Sequence, residues 1–252
     1  MFDAKKEKDR IVKFIRDYYK ENNLGGVVLG ISGGKDSGVV AALFCEALGS
    51  ENVLGVTMPC HSKEDDKNLA KVVADYYGFE LINVDLTSTF DTYKKEIDKL
   101  GNYSDDVLKN SDINLKPRLR MSTLYYIAQM YSKIYNKTFI VCGNGNKSEE
   151  FVGYFTKGGD SVSDIKLLSD LFVDEVIEIG KEIEVPDKVL FKAPSDGLSG
   201  QSDEDKLGFS YADVKKVVLG EEIDSNIREM IMKKHDANSH KFNIPTYMKS
   251  GE

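Results

Sequence analysis

The residues whose types and spacing suit chemistry are concentrated in a short segment, residues 30–37, which reads GISGGKDS. It lies between an apolar run at 27–31, typical of a buried strand, and an Ala- and Leu-rich run at 39–48, typical of a helix. Adjacent glycines permit a tight turn that exposes successive backbone N–H groups, and the following helix directs its positive end toward the same space. The segment therefore predicts an anion cradle of about the size of a pyrophosphate. Its members are Gly30, Ile31, Ser32, Gly33, Gly34, Lys35, Asp36 and Ser37.

This segment is not a Walker A loop. That pattern requires glycine where the chain has Leu29, and Ser or Thr after the lysine, where the chain has Asp36. Plainer interpretations remain open for its parts. A glycine turn can join a strand to a helix without binding a ligand, and Asp36 can serve only to complement the helix dipole. Lys35 either reaches a phosphate group or points to solvent from the crest of the loop.

The elements around this loop predict how it is positioned. Strands alternate with helices of ten or more residues, a pattern that indicates βαβ units, a mostly parallel doubly wound sheet and helices on both faces. We expect a single domain over residues 1–252, with a long mobile loop at 192–208, where Gly, Ser, Asp and Pro dominate. The predicted strands are 27–31, 53–57, 79–84 and 138–142. The first predicted helix begins near Ile11. Further helices are predicted at 39–48, 64–77 and 171–184, with short ones at 90–99 and 104–110. A longer helix has Pro117 in its first turn and runs to about Tyr135.

Composition excludes several classes of protein. The 252 residues carry a net charge of −8, which argues against a nucleic-acid binder or a protein of anionic membrane surfaces. No stretch approaches eighteen consecutive apolar residues, and the charged N-terminus does not resemble a signal peptide. Cys45, Cys60 and Cys142 are odd in number and widely spaced, so they fit neither a disulfide framework nor a CxxC zinc site. We expect a cytoplasmic globular protein.

The loop also carries a resemblance to a known family. SGGxDS after the first strand resembles the pyrophosphate loop of the N-type ATP pyrophosphatases, enzymes with an adenine nucleotide alpha hydrolase-like fold that split ATP into AMP and pyrophosphate while adenylating a substrate. At this loop alone, GMP synthetases, tRNA-modifying enzymes and argininosuccinate synthetases are similar.

Later segments narrow the resemblance to the ammonia-dependent NAD synthetases. The chain is similar to them, in order, from residue 30 to residue 245. The matching segments are KPRLRM at 116–121, GNKSE at 145–149, GYFTKGGDSVSD at 153–164, KAPS at 192–195 with GQSDE at 200–204, and HK at 240–241 followed by Pro245.

The resemblance implies a two-step reaction. The nicotinate carboxylate of deamido-NAD attacks ATP to give an acyl adenylate and pyrophosphate, and ammonia then releases NAD and AMP. It further implies that the 30–37 loop, Asn144 and Ser195 bind ATP, and that Asp36 and Glu149 bind Mg²⁺. Hard oxygen donors of this kind suit that ion. The residues implied to bind deamido-NAD are Arg118, Lys157, Asp164, His240 and Lys241. For an isolated Arg or Lys, a surface charge is the plainer interpretation.

Two single positions, and the segment CHSKED at 60–65, depart from the family pattern. Val173 stands where the family has an ATP-binding lysine, and Lys35 stands where its loop has an apolar residue or glutamine. We therefore expect Lys35 to supply the phosphate-binding cation that Val173 does not. The resemblance also implies a homodimer. Only about 25 residues precede the first predicted strand, so we expect no glutaminase domain and ammonia as the nitrogen donor.

Three alternatives remain. Another ATP pyrophosphatase, such as a tRNA-modifying or GMP synthetase-like enzyme, shares the loop. An NAD(P)-binding Rossmann module is suggested by GNGNKS at 143–148, which approaches GxGxxG and precedes Asp164 by about twenty residues. A nucleotide sensor that retains the fold without turnover is suggested by Val173.

Overall fold

The computed structural model describes residues 2–62, 64–192 and 203–242. Its strands are β1 (Leu24–Gly30), β2 (Val53–Thr57), β3 (Glu80–Asn83), β4 (Thr138–Gly143) and β5 (Ile165–Lys166). Its helices are α1 (Ala4–Glu21), α2 (Lys35–Leu48), α3 (Glu64–Tyr77), α4 (Thr87–Asp98), α5 (Asp105–Tyr135), α6 (Lys147–Phe151), α7 (Val173–Glu182), α8 (Asp187–Leu190), α9 (Asp203–Leu207), α10 (Tyr211–Leu219) and α11 (Ser225–Ala237). Short 3₁₀ turns occupy Ser50–Asn52 and Ser239–Lys241.

The strands form one parallel sheet in the order β3-β2-β1-β4-β5. The chain moves outward from β1 to β3, then crosses to the other side of β1 to form β4. Consecutive connections therefore leave β1 and β4 in opposite directions, which opens a crevice at the carboxyl ends of these two strands. The loops that follow β1 and β4 both end in this crevice.

Apolar side chains cover both faces of the sheet. Along β1, Val27 and Leu29 pack with the helices of one face, and Val28 packs on the other. Phe44 of α2 is fully buried on the first face, and Ile127 of α5 is buried on the second. These alternating directions follow from the period of two along a strand, and they confirm the prediction of helices on both faces. Within the described ranges, no helix combines the length and the apolar character that crossing a membrane requires.

The C-terminal helices pack around a third apolar cluster, centred on Tyr211, Val214 and Ile231. Val152, directly after α6, is fully buried in the same cluster. These helices thus pack against the segment that leaves the crevice after β4. Whether the whole chain is a single domain stays a prediction.

The four predicted strands are confirmed, and the predicted start of the long helix is wrong. Pro117 lies inside α5, which also absorbs the short helix expected at 104–110. A proline in a helix interior removes one backbone hydrogen bond. Here Gly159 packs directly on Pro117, and Leu115 and Leu119 pack against the buried cluster beneath the helix. Tertiary packing therefore outweighs the local preference.

One further prediction is wrong, and several elements were not predicted. The loop expected over 192–208 is wrong at its end, where α9 forms because Leu207 is buried in the C-terminal cluster. Residues 193–202 lie outside the described residues. Strand β5 and the helices α10 and α11 were not predicted. Strand β5 has only two residues and α10 has nine, while the thirteen-residue α11 buries Ile231 and leaves its other side chains at least partly exposed, so its apolar periodicity is weak.

Candidate active site

A cleft of about 450 Å³ opens where the carboxyl ends of β1, β2 and β4 meet. A cavity of this size is typical of small-molecule sites. Its walls include Gly30–Ser32 of the predicted anion cradle, Asn144 and Glu149 from the loop after β4, and Arg120 from α5. The cleft therefore brings together residues that are more than one hundred positions apart in the chain.

The loop after β1 has the geometry of a preorganised anion cradle. Gly33 has a φ of +76°, a conformation that favours glycine, and the 14-residue helix α2 begins immediately afterwards. Ser37 is buried, and its hydroxyl donates to the carbonyl of Gly34 (3.1 Å) and accepts from the backbone N–H of Ser32 (3.3 Å). These bonds hold the turn closed. Residues 34–37, at the start of α2, line the cleft, and a helix N-terminus suits an anion.

Lys35 is buried, with only 6% of its surface exposed, although it lies in the first turn of α2. Its Nζ is 3.1 Å from Oδ2 of Asp36, and the residue lines the cleft. The alternative in which Lys35 points to solvent is therefore wrong. The ammonium group stays beside the carboxylate because an unpaired cation in this position would be poorly solvated.

Asn146 connects the two predicted metal ligands. Its side chain is fully buried, and its Nδ2 donates to Oδ1 of Asp36 (3.3 Å). Its Oδ1 caps α6 by accepting from the N–H groups of Ser148 and Glu149, and Oε2 of Glu149 accepts from the N–H of Asn146 (3.3 Å). The carboxylates of Asp36 and Glu149 are therefore both held by Asn146, the first through its side-chain amide and the second through its backbone N–H.

The donor set suits Mg²⁺. Protein sites for this ion commonly use one or two carboxylates and complete the octahedron with substrate phosphates and water. Among the described residues, no cluster of three or more His, Cys, Asp or Glu side chains is arranged to hold a metal by itself. Two carboxylates beside an anion cradle thus fit an ion that arrives with a phosphate ligand.

Asn144 presents an unsatisfied acceptor at the wall of the cleft. Its Nδ2 donates to the carbonyl of Gly30 (2.8 Å), while its Oδ1 is buried with no hydrogen-bond partner among the described residues. A buried polar atom without a partner costs free energy. The orphaned oxygen therefore favours a ligand that carries an N–H or O–H group.

Four of the five predicted substrate-binding residues lie together. Arg118 donates to the carbonyl of Lys157 through two nitrogens (3.3 Å each), and Nζ of Lys157 donates to the carbonyl of His240 (2.8 Å). Nζ of Lys241 donates to the carbonyls of Gly153 and Phe155 (2.7 and 2.9 Å). Burial lowers the pKa of Lys241 from its ordinary value. The hydrogen bonds that Arg118, Lys157 and Lys241 donate here are made to carbonyl groups rather than to carboxylates.

Asp164 lies apart from these four, beside the sheet. Its Oδ2 accepts from the N–H of Val141 (2.8 Å) and its Oδ1 accepts from the hydroxyl of Tyr125 (3.1 Å). Burial, and then the charge of Asp164, raise the pKa of Tyr125 to about 12, so this hydroxyl remains a donor at neutral pH. In this structure Asp164 therefore ties α5 to β4, and its predicted contact with substrate stays a prediction.

Other cationic residues of the cleft had not been assigned a role. Arg120, Lys166 and Lys192 line it, and Nε of Arg120 donates to the carbonyl of Met58 (3.1 Å). Arg120 and Lys192 belong to the matched motifs, which was a usable signal, whereas Lys166 carried none. Val173 is absent from the cleft wall and packs against the C-terminal cluster. Ser195 lies outside the described residues.

A parallel sheet with an anion cradle after β1, facing a crevice shared with β4, defines the class of N-type ATP pyrophosphatase folds. The family model described as NAD synthase matches residues 7–250. The chain belongs to the NAD synthase family, and it is accordingly a ligase that forms a C–N bond.

Individual relatives agree with the family match. An NH(3)-dependent NAD(+) synthetase of Methanococcoides burtonii is 42% identical over 213 residues, which cover 84% of this chain and 77% of the relative. That of Carboxydothermus hydrogenoformans is 34% identical over 238 residues, with 94% of both chains covered. The tRNA-modifying, GMP synthetase-like and Rossmann alternatives are therefore not favoured.

Two solved structures extend the likeness to three dimensions. The NMN synthetase of Francisella tularensis has a TM-score of 0.88 at 29% identity, covering 98% of this chain and 99% of its own. The NH3-dependent NAD synthetase of Campylobacter jejuni, in complex with nitrate, has a TM-score of 0.78 at 27% identity, covering 98% and 100%.

The bridging role of Asn146 leads to a prediction about stability. Asn146→Ala removes the cap of α6 and the hydrogen bond to Asp36, so we expect a loss of about 2–3 kcal/mol in the free energy of unfolding. Ser210→Ala removes only the cap of α10 and is expected to cost about 1 kcal/mol. Equilibrium unfolding in urea measures both. Equal losses in the two variants would contradict the bridge.

Proposed function

We propose that this chain catalyses the ATP-dependent amidation of deamido-NAD with ammonia, through an acyl adenylate, giving NAD, AMP and pyrophosphate. The observation that carries the proposal is the family membership together with an anion cradle joined through Asn146 to two carboxylates in one cleft. The ammonia-dependent relatives in the comparison are covered over 77% and 94% of their own length, which supports ammonia as the nitrogen donor.

The chemistry needs no nucleophile from the protein. An oxygen of the nicotinate carboxylate attacks the α-phosphorus of ATP and pyrophosphate leaves. The nitrogen of ammonia then attacks the acyl carbon, and AMP leaves with the C–O electron pair. The protein contributes by positioning the reactants and neutralising phosphate charge. The N–H groups and hydroxyls of residues 32–37 would hold the β,γ-pyrophosphate, with Asn144 and Ser195 as further ATP contacts.

Asp36 and Glu149 would hold the Mg²⁺ ion, because Asn146 keeps both carboxylates at the same cleft wall. The ion, when bound, supplies positive charge to the phosphates. Arg118, Lys157, His240 and Lys241 would bind the phosphates or carboxylate of deamido-NAD, and Asp164 would accept from a hydroxyl or amide. Support comes from the contacts that bring the first four of these residues together.

A second candidate is the same amidation on a smaller substrate, giving nicotinamide mononucleotide (NMN). It is favoured by one observation, the TM-score of 0.88 to a structure described as an NMN synthetase. The sequence relatives named for NAD favour the dinucleotide instead, so the primary proposal keeps deamido-NAD.

An assay with the purified chain tests these proposals. With ATP, Mg²⁺, ammonium and deamido-NAD, we expect AMP and NAD to form in equal amounts. Chromatography of the reaction mixture measures both products. Nicotinate mononucleotide in place of deamido-NAD tests the second candidate, and glutamine in place of ammonium tests the nitrogen donor. Asp36→Asn should lose at least about 10²-fold in turnover, whereas Asp170→Asn, at an exposed position, should not. Binding of both substrates without AMP release would favour the sensor and contradict the proposal.

Lys35 is proposed to neutralise a phosphate of ATP, in place of a lysine at Val173. Its burial beside Asp36 supports this role, because the ammonium group is already held at the cradle. Removing one preorganised charge at reacting phosphates costs on the order of 10²–10³ in turnover. We therefore expect Lys35→Gln to lose that much in kcat, and Lys13→Gln, at an exposed lysine of α1, to lose nothing. A near-normal kcat for folded Lys35→Gln would exclude the role.

We further propose a homodimer formed through α5. Tyr126, Met130 and Ile134 recur every four residues on one face of this helix and are 72%, 42% and 63% exposed. The neighbouring Tyr125 contacts Asp164, so this face adjoins a proposed substrate residue. A second copy of the chain would cover the stripe through an isologous contact.

The unpaired cysteines support a reducing, cytoplasmic location.

The dimer is tested by placing charges on this stripe. Tyr126→Glu combined with Ile134→Glu should convert a dimeric wild type into a monomer, because buried like charges repel across a two-fold interface. Tyr76→Glu with Leu219→Glu is a matched control, since these side chains are 55% and 53% exposed on other helices. Sedimentation velocity at micromolar concentration reports the mass. A monomeric mass for the wild-type protein would contradict the proposed dimer.

A further inference from the structure

An ion pair that the sequence did not single out lines the cleft. Nζ of Lys166, on β5, is 2.7 Å from Oε1 of Glu150, on α6, and both residues are part of the cleft wall. Their side chains are only 30% and 27% exposed. Lys166 pairs with Gly143 in the sheet, and a Cβ at Gly143 would lie 3.4 Å from Cγ of Lys166. The same Cβ would lie only 2.8 Å from Oγ of Ser163, so it is Ser163 that requires the glycine, with the lysine stem in ordinary contact beside it.

The pair adjoins the elements that contact the anion cradle. Glu150 follows the proposed Mg²⁺ ligand Glu149 directly in α6. Gly143 is followed by Asn144, whose side chain bonds to Gly30 at the start of the cradle. The ammonium group of Lys166 is therefore carried by the strand and helix that frame the cradle. Glu150 balances its charge, so Lys166 offers a positioned donor in a cleft that is proposed to bind a triphosphate.

The Lys166–Glu150 ion pair contributes little to the free energy of folding. A partly desolvated ion pair returns little net free energy, because the loss of hydration offsets the Coulomb attraction. The residue that packs β5 into the core is instead Ile165, which is buried in the main apolar cluster. An ammonium group has three donors, and the bond to Glu150 occupies one of them. The other two can donate to phosphate oxygens while Glu150 fixes the position of the nitrogen.

We infer that Lys166 is a phosphate-binding residue of the ATP site and that Glu150 positions its ammonium group at the cleft wall. The inference rests on the proposed function for the identity of the nucleotide. It concerns the binding of ATP alone and needs no second substrate.

The test must separate a direct contact of Lys166 with ATP from the neutralisation of the Glu150 charge by Lys166. Lys166→Gln alone would leave Glu150 unpaired and repel ATP indirectly, so the informative comparison is Lys166→Gln/Glu150→Gln against Glu150→Gln. Two neutral amides retain a hydrogen bond at the pair, which favours folding. With Mg²⁺ present, calorimetry should show ATP binding roughly 10- to 100-fold weaker in the double variant, the loss expected for a charged hydrogen bond. Adenosine, which lacks phosphates, should bind both variants equally.

A surface ion pair on the same helix provides the control. Lys147, 31% exposed, pairs with Asp170 at 2.6 Å and is not part of the cleft wall. Lys147→Gln/Asp170→Asn should bind ATP as the wild type does. Equal ATP affinity in Lys166→Gln/Glu150→Gln and Glu150→Gln would overturn the inference. A parallel loss of ATP and adenosine binding would also overturn it, because it would indicate a structural role.

A second measurement uses the unaltered chain, in case the double variant does not fold. Mg·ATP should slow the acetylation of Lys166 by an amine-reactive reagent several-fold, as read by peptide mass spectrometry, and adenosine should not. Equal labelling of Lys166 with and without ATP would contradict the inference. The amidation assay is judged separately. ATP binding through Lys166 without NAD formation would refute the proposed function and leave this inference standing.

Discussion

The fully buried side chain of Asn146 holds the two halves of the cleft together. It caps the helix after β4 and donates to Asp36 in the helix after β1, a contact between residues 110 positions apart. Parallel strands bring these helix starts to one edge of the sheet, but backbone topology alone does not fix the separation of two carboxylates. Asn146 holds one carboxylate with its side-chain amide and the other with its backbone N–H, so it constrains both. The proposed magnesium and phosphate sites depend on this connection.

Charge in the cleft is balanced before any ligand arrives. Lys35 lies beside Asp36, and Lys166 lies beside Glu150, so each cation is held by a carboxylate at the wall. Such pairing limits the desolvation cost of buried charge and fixes lysine side chains that would otherwise be flexible. A triphosphate entering with a divalent cation meets donors already in position. This arrangement is the preorganisation that phosphoryl-transfer chemistry requires of a protein.

The C-terminal helices extend the same site. His235 stacks between Phe151 and Phe242, with ring centroids 4.5 and 5.2 Å away, and its Nδ1 donates to the carbonyl of Phe151. Lys241 bonds to the carbonyls of Gly153 and Phe155. The segment after α6 is therefore clamped by α11 and the turn that follows it. The matched segments at 153–164 and 240–241 therefore lie in contact, although they are more than seventy-five positions apart in the chain.

The parallel α/β class, the anion cradle and the family could be predicted from the sequence, because glycines, apolar periodicity and ordered motifs are local signals. Other features depend on long-range packing. Pro117 lies within a helix because packing against Gly159 offsets its local cost, and Lys35 is buried rather than solvent-facing. Lys166 and Glu150 are sixteen positions apart and neither belongs to a matched motif, and they meet in the cleft because β5 pairs with β4 beside Gly143. Such contacts depend on strand order and side-chain direction, which residue types and spacing do not encode.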